Sequence, residues 1–345
     1  MARPYRVAIA GCHRMLERRI ANHNWAAACA EVPSTRIVTV YDRDAGTRGT
    51  FQDCWGRMPA YDDYQRMLDA EQPDVVCIAT RQTMHADQIE AAAAGGAQGI
   101  LCEKPLATSM QETQRILAAC ERHPVAFTLA LDRRWFPYHR MLLQLLRDGA
   151  IGEVQAVSAF GMSSLLFQGC HWFDRVLELA GDPEIAWVAG WVDPLAGEPA
   201  ESRRRLDPPG SCHVQFANGV EAFLSPAGYV RGFDMGLDVV GSQGRLVVLG
   251  EGAETRLWRV GDDGRTPIAG EIPAVASTPP WPLVVQELVD AIEQRRPTRC
   301  DLACARRATE LSFAVHQSSR EGGRRVSPAE IDPTLRIASL PWGNE

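Results

Sequence analysis

This chain offers little to a polyanion or a membrane. Its acids outnumber its bases, 43 to 36, for a formal charge of −7, and the one basic run is Arg203-Arg204-Arg205. Proteins that bind nucleic acid or anionic lipid concentrate Lys and Arg on one face, so both are excluded as partners. No apolar run approaches the about 20 residues of a spanning helix, and no signal-type segment precedes the first strand, which predicts a cytoplasmic protein. The ten cysteines form no disulfide framework; Cys77 and Cys102 sit in apolar runs, as small hydrophobes do in a reducing compartment. Metal-ligand spacing is missing as well. Cys300 with Cys304, and Cys212 with His213, lack the partners of a zinc site, so no metal is expected. Internal repeats and low-complexity tracts are absent. What remains is small-molecule chemistry on a chain of 345 residues, 46% hydrophobic, long enough for two cores.

The first 130 residues alternate apolar runs with amphipathic stretches. Strands are expected at 6–10, 37–41, 74–79, 99–102 and 125–129, and helices at 84–94 and 109–122. Apolar strands without alternation, separated by helices, imply a parallel sheet covered on both faces, the doubly wound arrangement of an α/β domain. From residue 131 to 345 the pattern becomes α+β. Helices at 134–147 and 171–179 and a strand at 153–158 lead into β segments at 212–216, 220–224, 237–240, 245–249 and 256–260. Turn signals at Asn218-Gly219, 241–244 and 262–264 join them, which predicts an open, mainly antiparallel sheet. Helices at 283–294 and 302–319 are expected to close this second domain, and 195–209 reads as an exposed loop.

The run Leu101-Cys102-Glu103-Lys104-Pro105 carries the most chemistry. It sets a lysine between an acid and a proline at a strand end, where open α/β sheets bind ligands. Proline restricts the residue before it, and Glu103 supplies an opposite charge, so Lys104 is held in one direction as a proton donor or electrophile.

The turn after the first strand reads Gly11-Cys12-His13-Arg14-Met15-Leu16. A dinucleotide fingerprint wants three glycines there: one for the turn, one for close approach of pyrophosphate, one for helix packing. Only the first is present. A helix beginning at this turn would still offer free N–H groups to a phosphate. Asp42, at the end of the second strand, suits an adenosine ribose and favours NAD over NADP, whereas Arg43 can stack on adenine or pair with a 2′-phosphate.

Together these residues resemble the Gfo/Idh/MocA oxidoreductases, named after glucose-fructose oxidoreductase and inositol dehydrogenase. The resemblance runs through the first turn, Asp42, Ala79-Thr80 to His85, Glu103-Lys104-Pro105, Asp132-Arg133-Arg134, Gly152-Glu153-Val154 and Gly169-Cys170-His171. It implies a Rossmann domain joined to an open-faced sheet used for oligomerisation, as a homodimer or homotetramer. It implies hydride transfer between NAD or NADP and a sugar, cyclitol or related small substrate. Gly11, Cys12, His13, Arg14, Met15, Asp42, Arg43, Thr80, Arg81, His85, Glu103 and Lys104 would hold the cofactor, and Lys104 and His171 would be catalytic.

The chain departs from the pattern at three places. Arg81-Gln82 stands where the family has Pro-Asn, and an arginine there can clamp an anion bidentately. The aspartate expected four residues before His171 is Phe167, so the proton handling falls to His171 without its carboxylate, unless Asp132 or Asp174 reaches the site. The glycines are the third. These departures converge on one region, which keeps a second reading open: a redox-inactive or altered family member, either a lyase- or glycosidase-like enzyme with retained nucleotide or a small-anion-binding regulatory protein.

Overall fold

A computed structural model describes residues 3–193, 206–227, 235–252 and 254–337. Arg203-Arg204-Arg205 and the 195–205 part of the expected loop lie outside the described residues. The chain divides into two compact units: Met1–Phe136 with Thr278–Ala305, and Pro137–Ser277 with Arg306–Glu345.

The first unit begins β1 (Tyr5–Ala10), α1 (Trp25–Ala30), β2 (Thr35–Tyr41), α2 (Ala45–Trp55), β3 (Ala60–Tyr61) and α3 (Tyr64–Glu71). It continues β4 (Val75–Ile78), α4 (His85–Ala94), β5 (Gly99–Cys102), α5 (Met110–Arg122) and β6 (Ala126–Leu129). The six strands pair in the order β3-β2-β1-β4-β5-β6, all parallel. This is the doubly wound order, whose ligand crevice lies at the carboxyl ends of β1 and β4, where the winding reverses. Every residue of β4 and β5 is buried, which is why neither alternates in sequence. Helix starts are set by side-chain caps. Asp44, Asp63 and Ser109 accept the backbone N–H three residues on, at 2.6, 2.8 and 3.1 Å, each worth about 1 kcal/mol.

The chain then forms α6 (Pro137–Arg147), β7 (Val154–Phe160), α7 (Gly169–Leu179), β8 (Ile185–Val192), β9 (Gly210–Phe216) and β10 (Glu221–Ser225). There follow β11 (Gly236–Gly241), β12 (Gly244–Leu249), β13 (Glu254–Val260), β14 (Pro267–Ala269), α8 (Trp281–Gln294) and α9 (Leu302–Arg320). One expectation needs correction: α8 does not close the second unit but packs on α1, β5 and β6 of the first. Val284, Val285, Leu288 and Val289 are buried there, worth roughly 1.5–3 kcal/mol each. The approach is close enough that a Cβ on Gly99 would lie 2.7 Å from Ile292 Cδ1. Periodicity marks a helix but not the sheet it will cover.

The second sheet runs β14-β13-β12-β11-β7-β10-β9-β8. The β7–β10 pair is parallel and the others are antiparallel. Val188, Val214, Ala222, Val157, Val239, Leu246 and Leu257 pair in one unbroken buried row across seven strands. A one-residue slip in any strand would turn its apolar set to water, so this row fixes the register. On the other face Trp191, Phe160 and Phe223 are exposed, and the His213 ring stacks on Phe223 at 4.5 Å. The expected exposed loop is corrected at its end. Asp207, Pro208 and Pro209 are buried, because Asp207 binds backbone N–H groups inside the unit.

Candidate functional site

Five chain segments meet along the carboxyl edge of the first sheet. They are the turn after β1, the ends of β2, β4 and β5, and the segment after β6. Gly11 has φ +83°, and a Cβ there would fall 2.7 Å from Ala79 O and 2.8 Å from Thr80 N. Only glycine lets β1 leave the sheet against β4 in this way.

Beyond Gly11 the structure departs from expectation. No helix begins at this turn; α1 starts at Trp25 and has six residues, so no helix N-terminus is offered to a phosphate. Instead residues 12–24 form an irregular segment opened by a turn in which Met15 N donates to Cys12 O at 2.9 Å. The missing second and third glycines account for it, since His13 and Leu16 cannot supply the close backbone approaches of a helix against the strand edge. Cys12 and Met15 have buried side chains, while His13 and Arg14 project from the turn. Asp42 holds the turn from β2. Its Oδ2 accepts from Cys12 N at 3.0 Å and its Oδ1 from Asp44 N at 3.0 Å. Burial, then the neighbouring Asp42 charge, pushes the Cys12 thiol well up, so it stays a neutral thiol. Arg43 and Arg81 are exposed.

His85 braces the turn from α4. Its ring is buried, with Nδ1 donating to Pro105 O at 2.9 Å and Nε2 lying 3.3 Å from Thr80 O. Burial lowers its pKa and keeps it neutral. The Thr80 hydroxyl bonds the Gln88 side chain, so Thr80 is tied to α4.

Lys104 is 8% exposed, with a cis bond to Pro105. Around it the fold assembles a set of charges that local sequence did not reveal. Glu103, also buried, accepts His23 Nδ1–H at 2.7 Å and Trp25 Nε1–H at 2.7 Å on one oxygen, and Lys104 N–H at 3.2 Å on the other. Burial alone would raise the Glu103 carboxyl. The charge and hydrogen bond of His23, with Lys104 and Trp25, outweigh it and hold the carboxyl at about 2. Asp132 is buried after β6, accepting Trp281 Nε1–H at 2.9 Å, and burial raises its pKa despite Arg133. It lies near enough to feel both Glu103 and His23. His23 and Trp25 escaped sequence reading because they belong to no motif; the only local signal was Asn24, whose side chain caps α1 by accepting Ala27 N–H at 3.1 Å.

His171 lies in the second unit, in the first turn of α7, half-buried. The loop before it is held by Asp207, whose Oδ1 accepts Leu165 N at 3.1 Å and Leu166 N at 2.8 Å, and whose Oδ2 accepts Phe167 N at 2.7 Å. Three consecutive N–H groups form a concavity suited to an anion, and an internal carboxylate fills it. Asp174 is buried on α7. Among the described residues no three His, Cys, Asp or Glu side chains gather as a metal-holding set, and no helix is long and apolar enough to cross a membrane.

Comparison with known proteins bears on the same region. Residues 5–131 match the GFO_IDH_MocA family, described as an oxidoreductase family with an NAD-binding Rossmann fold. D-apiose dehydrogenase of Paraburkholderia graminis is 32% identical over 148 residues, 43% of this chain and 38% of that protein. The dTDP-3,4-didehydro-2,6-dideoxy-alpha-D-glucose 3-reductase of Saccharopolyspora spinosa is 27% identical over 261 residues, 72% of this chain and 75% of its own length. This chain thus spans well under half of the first relative and three-quarters of the second. Among solved structures, an oxidoreductase from Agrobacterium radiobacter, in complex with NAD+, L-tartaric acid and magnesium, superposes with TM-score 0.77 at 20% identity, covering 94% of this chain and 98% of that one. Myo-inositol 2-dehydrogenase from Lactobacillus plantarum does so with TM-score 0.73 at 19% identity, covering 94% and 99%. At such identities the structures establish the shared two-domain fold.

Proposed function

We propose that this chain, whose residues 5–131 match the Gfo/Idh/MocA oxidoreductase family, is an NAD(P)-dependent dehydrogenase or reductase acting on a sugar, cyclitol or related small hydroxy compound. The observation that carries this reading is the buried Lys104, fixed between Glu103 and Pro105 at the crevice edge of a 3-2-1-4-5-6 sheet. When bound, NAD or NADP supplies the hydride acceptor or donor.

The residues present fit such a dinucleotide at two points. Gly11 packs so closely on Ala79 and Thr80 that a Cβ would lie 2.7–2.8 Å from them, which keeps the turn low where the chain crosses the crevice. Asp42 stands half-buried at the end of β2, in the position that takes an adenosine ribose, which favours NAD. With no helix N-terminus at the turn, His13 and Arg14 are the groups that meet the pyrophosphate charge, with Arg43 toward the adenosine and Arg81 at the end of β4. Cys12 and Met15 contribute backbone, their side chains being enclosed. Lys104 polarises the substrate oxygen as its C–O bond gains carbonyl character. His171 is the second catalytic candidate. The ten free cysteines suit a reducing cytoplasm, and the exposed Trp191, Phe160 and Phe223 suit a homodimer or homotetramer joined through the open sheet face.

Calorimetric titration with NAD, NADH, NADP and NADPH, followed by a screen of polyols and sugars, tests the reading. Micromolar binding with turnover is the expected outcome, with Lys104→Met abolishing turnover while leaving nucleotide affinity within about threefold. Binding without turnover in wild type would favour the second reading, an enzyme or binding protein that has left redox chemistry. No binding of any nucleotide would remove the redox assignment altogether.

A further inference from the structure

Oxidising an alcohol by hydride transfer requires a base for the hydroxyl proton, and the expected one, His171, has Phe167 where its carboxylate should be. The first unit holds a histidine that has such a carboxylate. His23 Nδ1 donates to Glu103 Oε1 at 2.7 Å, one-fifth of the His23 side chain is exposed, and Nε2 has no hydrogen-bond partner among the described residues. Glu103 is itself fixed, by Trp25 on the same oxygen and by the Lys104 N–H on the other. A carboxylate on Nδ1 sets the tautomer so that the Nε2 lone pair points outward, and it stabilises the imidazolium that forms when Nε2 takes a proton.

Backbone geometry points the same way. His23 has φ +64°, a left-handed conformation that a non-glycine residue keeps only where its surroundings enforce it. Here they do. Asn24 Nδ2 donates to Glu17 O at 2.8 Å and to Arg19 O at 2.9 Å, clamping the irregular segment on the chain side of His23, while Glu103 holds the ring. The segment that replaces the phosphate-binding helix thus delivers an imidazole to the residue beside Lys104.

We infer that His23, backed by Glu103, is the general acid–base residue of this enzyme, and that Lys104 and His23 act on the same substrate oxygen from within the first unit. The inference rests on the hydride-transfer reading above. In the oxidative direction the carbinol C–H bond breaks and its hydrogen leaves with the electron pair to oxidised NAD(P). The O–H bond breaks with its proton going to His23 Nε2, and the O–H electron pair becomes the second bond of the carbonyl. The products are a ketone or aldehyde, reduced NAD(P) and an imidazolium that returns its proton to water.

The test compares the full-length wild type with His23→Gln and His171→Gln, using whichever polyol or sugar the wild type turns over. His23→Gln should lower kcat at least about a hundredfold, the usual worth of a positioned base, with KM and calorimetric nucleotide affinity changed less than about threefold. His171→Gln should cost less in kcat than His23→Gln. Turnover of His23→Gln within fivefold of wild type would overturn the role of His23 and return the base to His171, leaving hydride transfer intact. A wild type silent with all four nucleotides and every substrate would instead overturn hydride transfer and this role with it. Should His23→Gln not fold, nitrogen NMR of the wild-type imidazole decides: protonation on Nδ1 in the neutral ring is expected, and protonation on Nε2 would overturn the proposal.

Discussion

At the scale of single residues, the site depends on positions where one atom decides the outcome. Gly11→Ala would force a Cβ to 2.7 Å from Ala79 O in a backbone with φ +83°. It is expected to cost about 1–3 kcal/mol, read as a lower urea midpoint at unchanged m, and to weaken nucleotide binding in the same protein. Gly11, Lys104 and Glu103 were legible in the sequence because each belongs to a short motif with a local physical reason. His23 and Trp25 were not. Their meaning comes from Glu103, about eighty positions away, and no local pattern announces a hydrogen bond across that distance. His85, a histidine in a motif-like position, is a buried brace between Pro105 and Thr80, a packing role that sequence alone does not show.

At the scale of elements, Asp207 is the clearest case of one side chain organising a segment. Its carboxylate satisfies three successive backbone N–H groups in the loop that leads into α7. Asp207→Ala removes this acceptor from Leu166 N and Phe167 N, while Leu165 N keeps Pro208 O at 3.1 Å, and should cost about 2–5 kcal/mol, measured by denaturant unfolding. Asp207→Asn, which keeps one acceptor oxygen, should recover part of that loss. The missing helix after β1 is the converse. A strand followed by a lone glycine reads as a strand–helix turn, yet the helix waits until Asn24 supplies a cap and Trp25 to Cys29 a buried run.

At the scale of the whole molecule, the buried His85 and the half-buried His316 tie stability to pH. Burial lowers the pKa of His85 from 6.5, and burial followed by the Arg320 charge lowers that of His316 from 6.5 to about 4. Below about 6.5, and down to about 4 at His316, the unfolded chain therefore binds protons that the folded chain refuses at these sites, so their contribution falls as pH falls. Comparing wild type with His316→Gln isolates one of them: on lowering the pH from 6.5 to 4, the wild type should lose Tm relative to the variant, and a constant difference would contradict it. Glu103 acts lower down. Its folded pKa of about 2 against an ordinary 4.5 gives stability that is complete above 4.5 and lost as pH falls toward 2. The doubly wound arrangement, five of the six strands of the first unit and the lysine after β5 could be reached from the residues alone, because hydrophobic periodicity and turn chemistry act over a few positions. The packing of α8 on the first sheet, the Asp207 clamp and the His23–Glu103 pair had to wait for the folded chain. Each joins segments far apart in sequence, and burial, which makes such contacts strong, is a property of the folded whole.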